Sequence, residues 1–155
     1  MSDDALIETW NIHNRINLYM LDSIKPDALA GVSLSKGRTV GQEFAHMYNV
    51  RLDWLKPSAP QLIEGMPKIA KENADDKARL KKSLKESGEA IAALLTASIA
   101  GDGRIKGFKP HVTAFVGYMI SHESYHRGEI GIILAQSGNP LDKKTSYGMW
   151  EWGVR

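Results

Sequence analysis

The chain has 155 residues, of which 43% are hydrophobic and 25% charged, enough for one domain with a single closed core and no staples. The absence of cysteine excludes disulfides, thiolate metal ligands and a cysteine nucleophile, so any thiol chemistry needs an external thiol. A formal net charge of +2, with acids and bases intermixed, offers no strong field for a phosphate backbone, and nucleic acid is not an expected partner.

Asp4 to Ile24 carries Leu6, Trp10, Met20, Leu21 and Ile24 at helical spacing, with Ser2 or Asp3 as cap, and reads as a first helix. The start, Met1-Ser2-Asp3-Asp4, lacks the basic and apolar regions of a signal peptide, so a cytoplasmic protein is expected. Lys25-Pro26 ends the helix, and a loop with Gly31, Ser33, Ser35 and Gly37 runs to Arg38. Thr39 caps a second helix to about Lys56, with Val40, Phe44, Met47, Tyr48, Leu52 and Leu55 on its apolar side.

Pro57, Pro60, Gly65 and Pro67 break the helix and make a long connection, suited to a crossover between consecutive helices that are not antiparallel neighbours. Asp75 to Ala100 reads as a third helix, with Leu80, Leu84, Ile91, Leu94 and Leu95 inward, stopped by Gly101-Asp102-Gly103. After a short basic loop, Arg104 to Lys109, Pro110 is placed in the first turn of a fourth helix running to about Ser137. A tail follows with Trp150 and Trp152. Strand signals are almost absent, and the apolar runs Ala90–Ala100 and Val112–Ile120 are too short to span a bilayer. An all-α four-helix bundle of one domain, residues 1–155, is expected.

His122 and His126, four residues apart, project from adjacent turns of one helix face and can share a metal. Phe115, Tyr118, Met119 and Ile133 lie on the same face, so the imidazoles point coreward and need partners. Zinc takes three or four protein ligands, and His46 is the best-placed third if the second and fourth helices pack together. Ordinary hydrogen-bonded core histidines are the alternative. His111, eleven residues from His122 and about 16 Å away along the axis, is too far to share the ion.

His122-Glu123-Ser124-Tyr125-His126 also fits H-E-x-x-H, in which the glutamate is the general base of a zinc peptidase. A metzincin would continue with a glycine and a third histidine where this chain has Glu129 and Ile132, and zincins usually bring an upstream sheet to hold substrate. The context argues against a peptidase.

Longer stretches carry a family resemblance. Trp10 to Ile24, WNIHNRINLYMLDSI, resembles the opening helix of DinB/YfiT-like proteins, and Thr39 to Leu55, TVGQEFAHMYNVRLDWL, is similar to their second. The segment HVTAFVGYMISHESYHRGEIGIILAQSG resembles the family's H-x-x-x-H-R-G-[QE] signature. The resemblance implies a down-up-up-down bundle, often homodimeric, holding one divalent metal such as zinc or nickel on three histidines, which carry over to His46, His122 and His126. It further implies a thiol S-transferase using bacillithiol, mycothiol or glutathione, or a mycothiol-dependent isomerase, while an open three-histidine metal site, which can also activate water, leaves a hydrolase as an equal reading. A non-catalytic metal-binding stress-response dimer is the alternative.

Candidate catalytic groups are Glu129, on the histidine face, as base or support for an imidazole, with a surface or dimer-interface salt bridge an equal reading, and Glu123, about 100° around the helix from His122, as proton carrier if the bundle leaves that side open. Glu43, one turn before His46, has the same readings, with an exposed carboxylate favoured. His13, Asn17 and Tyr118 are candidates for contacting substrate or supporting the ligands, although a hydrogen-bonded core pair is the simpler account of His13 and Asn17. The basic loop Arg104 to Lys109 could receive an anionic group, and Trp150 and Trp152 could cover a pocket or anchor the tail.

Overall fold

A computed structural model describes residues 3–155, with side chains from Ala5 onward. The cap expected from Ser2 or Asp3 therefore lies outside the described residues. Five helices follow in chain order: α1 (Asp3–Ser23), α2 (Val40–Ser58), α3 (Lys77–Ala100), α4 (Val112–Gln136) and a short α5 (Lys143–Gly148).

Side-chain pairs fix the direction of each long helix. Trp10 Nε1 donates to the Gly88 carbonyl while Lys81 pairs with Asp22 at the other end, so α1 and α3 are antiparallel. Gly41 abuts Ala74 just before α3, and Arg51 reaches Leu84 and Ser87, so α2 and α3 are parallel. Glu43 meets His126 and Trp54 meets Phe115, so α2 and α4 are antiparallel; His13 meets Glu123 and Asn17 meets Arg127, so α1 and α4 are parallel. The result is a down-up-up-down bundle.

The parallel pair α2 and α3 needs a return along the bundle, supplied by residues 59–76. This crossover contains two 3₁₀ turns, Pro60–Ile63 and Lys71–Asn73. Tyr48 donates its hydroxyl to the Pro67 carbonyl, and Asn49 both accepts from and donates to Ile69, pinning the segment to α2. Gly41 is required at its end: a Cβ there would lie 1.8 Å from the Ala74 carbonyl oxygen.

Thr39 caps α2 as expected, in a reciprocal pair with Gln42. Pro57 does not break α2 but sits within its last turn, which ends one residue later. At the other end of the bundle the expected basic loop is instead a small antiparallel hairpin, β1 (Arg104–Ile105) with β2 (Phe108–His111). Gly107, at φ +84°, makes its tight turn possible. Pro110 consequently lies in β2, and α4 begins at Val112 with His111 as cap, its Nδ1 accepting from the Ala114 amide.

The core divides in two. Phe44, Met47, Leu84, Ile130 and Leu134 pack at one end, and Trp10, Leu55, Ile91, Leu95 and Phe115 at the other. Between them lies a fully buried polar layer with a member from every long helix: His13 and Asn17 from α1, Arg51 from α2, Ser87 from α3 and Glu123 from α4. Arg51 grips Glu123 through Nε to Oε2 at 2.8 Å and Nη2 to Oε1 at 2.6 Å, and its Nη1 donates to the Leu84 carbonyl and to Ser87. Such a layer tolerates only one relative height of the four helices, and so sets the register of α4 against α2. No helix among the described residues is long and apolar enough to cross a membrane.

Candidate metal centre

That register brings His46 of α2 against His122 and His126 of α4. Ring centroids are 4.5 Å apart for His46 and His126, 4.6 Å for His122 and His126, and 5.4 Å for His46 and His122. One nitrogen from each ring lies within 4.8 Å of one from the other two, and His122 Nε2 stands 3.2 Å from His126 Nε2. Two nitrogens on one tetrahedral zinc, each at ~2.05 Å, would be separated by about 3.3 Å, so this pair already has the spacing of a shared ion.

Protonation supports the same assignment. His126 Nδ1 is 2.6 Å from Glu43 Oε2, so the ring donates its N–H there and leaves the Nε2 lone pair turned toward His122. A carboxylate that fixes the tautomer of an imidazole is the arrangement that supports histidine ligands in metal sites. His122 Nδ1 is buried without any hydrogen-bond partner, and its Nε2 has only the lone pair of His126 to face. A divalent cation among the three rings would take up the His126 Nε2 lone pair that His122 now faces. The residues fit such an ion.

The electrostatics favour neutral rings. Burial, with help from the Arg38 guanidinium and the neighbouring imidazoles, pushes His46 down to about 4. Burial and then His126 lower His122 as well. At neutral pH both therefore stand in the form that binds metal. Glu43 is buried, not the exposed carboxylate favoured from the sequence, because α2 turns it onto α4. Its burial opposes ionisation, but the His126 hydrogen bond and charge outweigh that and hold it below the ordinary carboxylate range. Arg38 adds a cation 3.8 Å from Glu43 and donates a long hydrogen bond, 3.4 Å, to His46 Nδ1.

The other candidates divide sharply. Glu129 lies 3.6 Å from His126 Nδ1 and is partly exposed, and with Glu43 and His126 it forms a second group spaced closely enough to hold a cation. Tyr118 is 41% exposed, its ring stacked near His122 at 6.4 Å and packed against Trp54 and Phe108. Glu123 belongs elsewhere: the side that a proton carrier would need open is closed, and its carboxylate is held by Arg51, His13 and Asn17. Although burial works against it, Arg51 holds this carboxyl down at about 2. A fully buried carboxylate gripped in this way cannot serve as the base of a zinc peptidase. His13 and Asn17 are members of the same layer and form the core pair that was the simpler expectation.

Arg38, Arg51 and the buried role of Glu43 were not anticipated. Arg51 had a signal, since it falls on the apolar stripe of α2 with Phe44, Tyr48 and Leu55, where a charge demands a buried partner. Arg38, in an irregular segment, had none.

Beside the cluster, a cavity of about 450 Å³ lies between α4 and the loop preceding α2, lined by Lys36, Arg38, Glu43, Glu129, Ile132 and Gln136 among others. A three-histidine cluster on antiparallel helices of a down-up-up-down bundle, with a carboxylate behind His126, makes this a helical bundle with a group of side chains that could hold a metal ion. A sequence model of the DinB family matches residues 1–143, and the chain belongs to that family. Comparison with curated proteins and with solved structures finds no match.

Proposed function

We propose that this protein is a divalent-metal-dependent enzyme, with zinc or nickel on His46, His122 and His126, acting on a small molecule by thiol transfer or hydrolysis. The observation that carries this reading is the joint state of the three rings: a Glu43-fixed tautomer on His126, the His122 Nε2 3.2 Å from the His126 Nε2 with His46 beside both, and a cavity next to Glu43. A bound ion would supply Lewis-acid polarisation and lower the pKa of a thiol or water.

The chain's own groups have separable roles. Glu43 orients His126, and Arg38 and Lys36 offer cations to a substrate carboxylate or phosphate in the cavity. Glu129 is the group placed to accept a proton, because it lines the cavity and stands beside His126. Tyr118 stacks near His122, where a substrate reaching that ring would meet it. With no cysteine in the chain, the thiol of a transferase reaction comes from a cosubstrate. The test is turnover of metal-loaded protein with low-molecular-weight thiols and an electrophilic acceptor, and with small esters. Glu129→Gln should lower turnover by about 10²–10⁴ while retaining metal. Metal-loaded protein inert toward every thiol and ester would favour the non-catalytic metal-binding reading instead.

A homodimer belongs to the same proposal. Leu34, Tyr125 and Ile132 are exposed apolar side chains, and Leu34 is tied to the end of α4 by its amide donating to Gln136. Light scattering on the eluting protein tests it, and a monomer at all concentrations would refute it.

A further inference from the structure

The outer side of α4 carries a second cavity, about 440 Å³, with mainly apolar walls: Met20 of α1, Ile120 of α4, and Leu141, Met149, Trp150 and Trp152 of the C-terminal segment. Its size is within the range of small-molecule sites. Gly131, which lines it, lies about 140° around the helix from His126 and about 180° from His122, so the cavity is on the side of α4 away from the histidines.

Arg127 also lines this cavity, and no carboxylate is in direct contact with it among the described residues. The polar layer beneath holds one carboxylate, Glu123, and both of its oxygens are gripped by Arg51. Among the described residues no carboxylate pairs with Arg127 within 4.0 Å. His13 adds no negative charge. Burial lowers Arg127 from its ordinary value, only in part offset by the Glu123 charge.

The hydrogen bonds show which part of the guanidinium is committed. Nη1 donates inward to Asn17 Oδ1 at 2.6 Å and reaches His13 Nδ1 at 3.5 Å. Nη2 donates to Ser124 Oγ at 3.2 Å, and Ser124 itself lines the cavity. This leaves the second Nη2 hydrogen and the Nε hydrogen without acceptors among the described residues. Nε and Nη2 form the edge that Arg51 presents to Glu123, and it matches a carboxylate in two parallel bonds. A guanidinium with donors to spare, lining the same cavity as tryptophan and methionine, is complementary to a ligand with one carboxylate and an apolar body.

We propose that this cavity binds a small amphipathic carboxylate, its carboxyl group on Arg127 and Ser124 and its apolar part against Trp150, Trp152, Met20 and Met149. The site is separate from the histidine cluster and does not rest on its chemistry.

Octanoate and its neutral isostere octanamide are the probes, titrated into the full-length metal-loaded protein by calorimetry and by tryptophan fluorescence. Octanoate should bind one per chain, at least tenfold more tightly than octanamide, and change the tryptophan emission. Gly131→Leu fills part of the cavity, where an added Cβ meets nothing within 4 Å, and should weaken octanoate at least tenfold with metal content and helicity unchanged. Arg127→Met should equalise the two probes; because Arg127 also holds Asn17, Gly131→Leu keeps the proposal testable if that variant does not fold. Absence of saturable binding, equal affinity for both probes, or binding that survives Gly131→Leu but is lost in His126→Ala would each overturn it.

Discussion

Replacing Glu123 by glutamine removes one charge from the centre of the bundle and leaves Arg51 ionised, fully buried and without a carboxylate. The cost can be worked in two ways. The carboxyl is held at about 2, against an ordinary 4.5, and at about 1.4 kcal/mol per unit that shift is worth about 3 kcal/mol for a group sealed from solvent. Breaking one partner of a buried, hydrogen-bonded ion pair costs about 3–5 kcal/mol by the general rule, in agreement. For a chain of this length, each kcal/mol lowers Tm by roughly 2–4 °C, so Glu123→Gln should melt about 6–12 °C below the parent. Urea denaturation followed by far-ultraviolet circular dichroism should give the matching loss at unchanged slope. The folded variant should still take up metal, because the amide remains in place beside His122. A loss below about 1 kcal/mol would refute the account of the layer, and peptidase activity abolished by this change would restore the H-E-x-x-H reading.

Glu43→Ala should reduce zinc affinity about 10–100-fold, measured by competition with a chromophoric chelator, since the His126 tautomer is no longer fixed; unchanged affinity would remove Glu43 from the site. Acid should act on the metal-free protein earlier than on the metal-loaded one. His13, His46 and His122 are all lowered in the folded state, so the unfolded chain takes up protons first and apo stability should fall as pH drops from about 6.5 toward about 4. By the same shift, proton competition for metal at His46 should set in near its lowered value and not at the 6.5 of a free histidine. Gly41→Ala should destabilise by about 1–3 kcal/mol despite the better helix former, because the new methyl meets the Ala74 backbone; a stabilised variant would contradict the close approach of the crossover.

The bundle was legible because its four long helices carry apolar stripes and clear stops: the Thr39 cap, the prolines after Lys56 and the Gly101-Asp102-Gly103 break all mark real boundaries within a few residues. The hairpin before α4 escaped notice because Arg104 to Lys109 shows no alternation, and its pairing rests on Gly107 and on Phe108 packing against Trp54 and Phe115. His122 and His126 were visible from spacing alone. His46 was not fixed by spacing, since its place depends on which helices are neighbours, and that is decided by long-range packing and the crossover. Glu43 and Glu123 were misjudged for a related reason. A helical wheel gives the angle of a side chain but not how closely the next helix covers it, and in this bundle α4 buries the first while Arg51 draws in the second.

The central claim is that His46, His122 and His126 hold one divalent ion together. Elemental analysis of protein purified without a histidine tag, before and after reconstitution, tests it against His46→Ala, His122→Ala and His126→Ala, each shown to be folded. The account predicts about one zinc or nickel per chain in the parent and loss in all three variants. A parent that takes up no metal after reconstitution, or variants that keep it, would contradict the claim and leave the three rings as packing between α2 and α4.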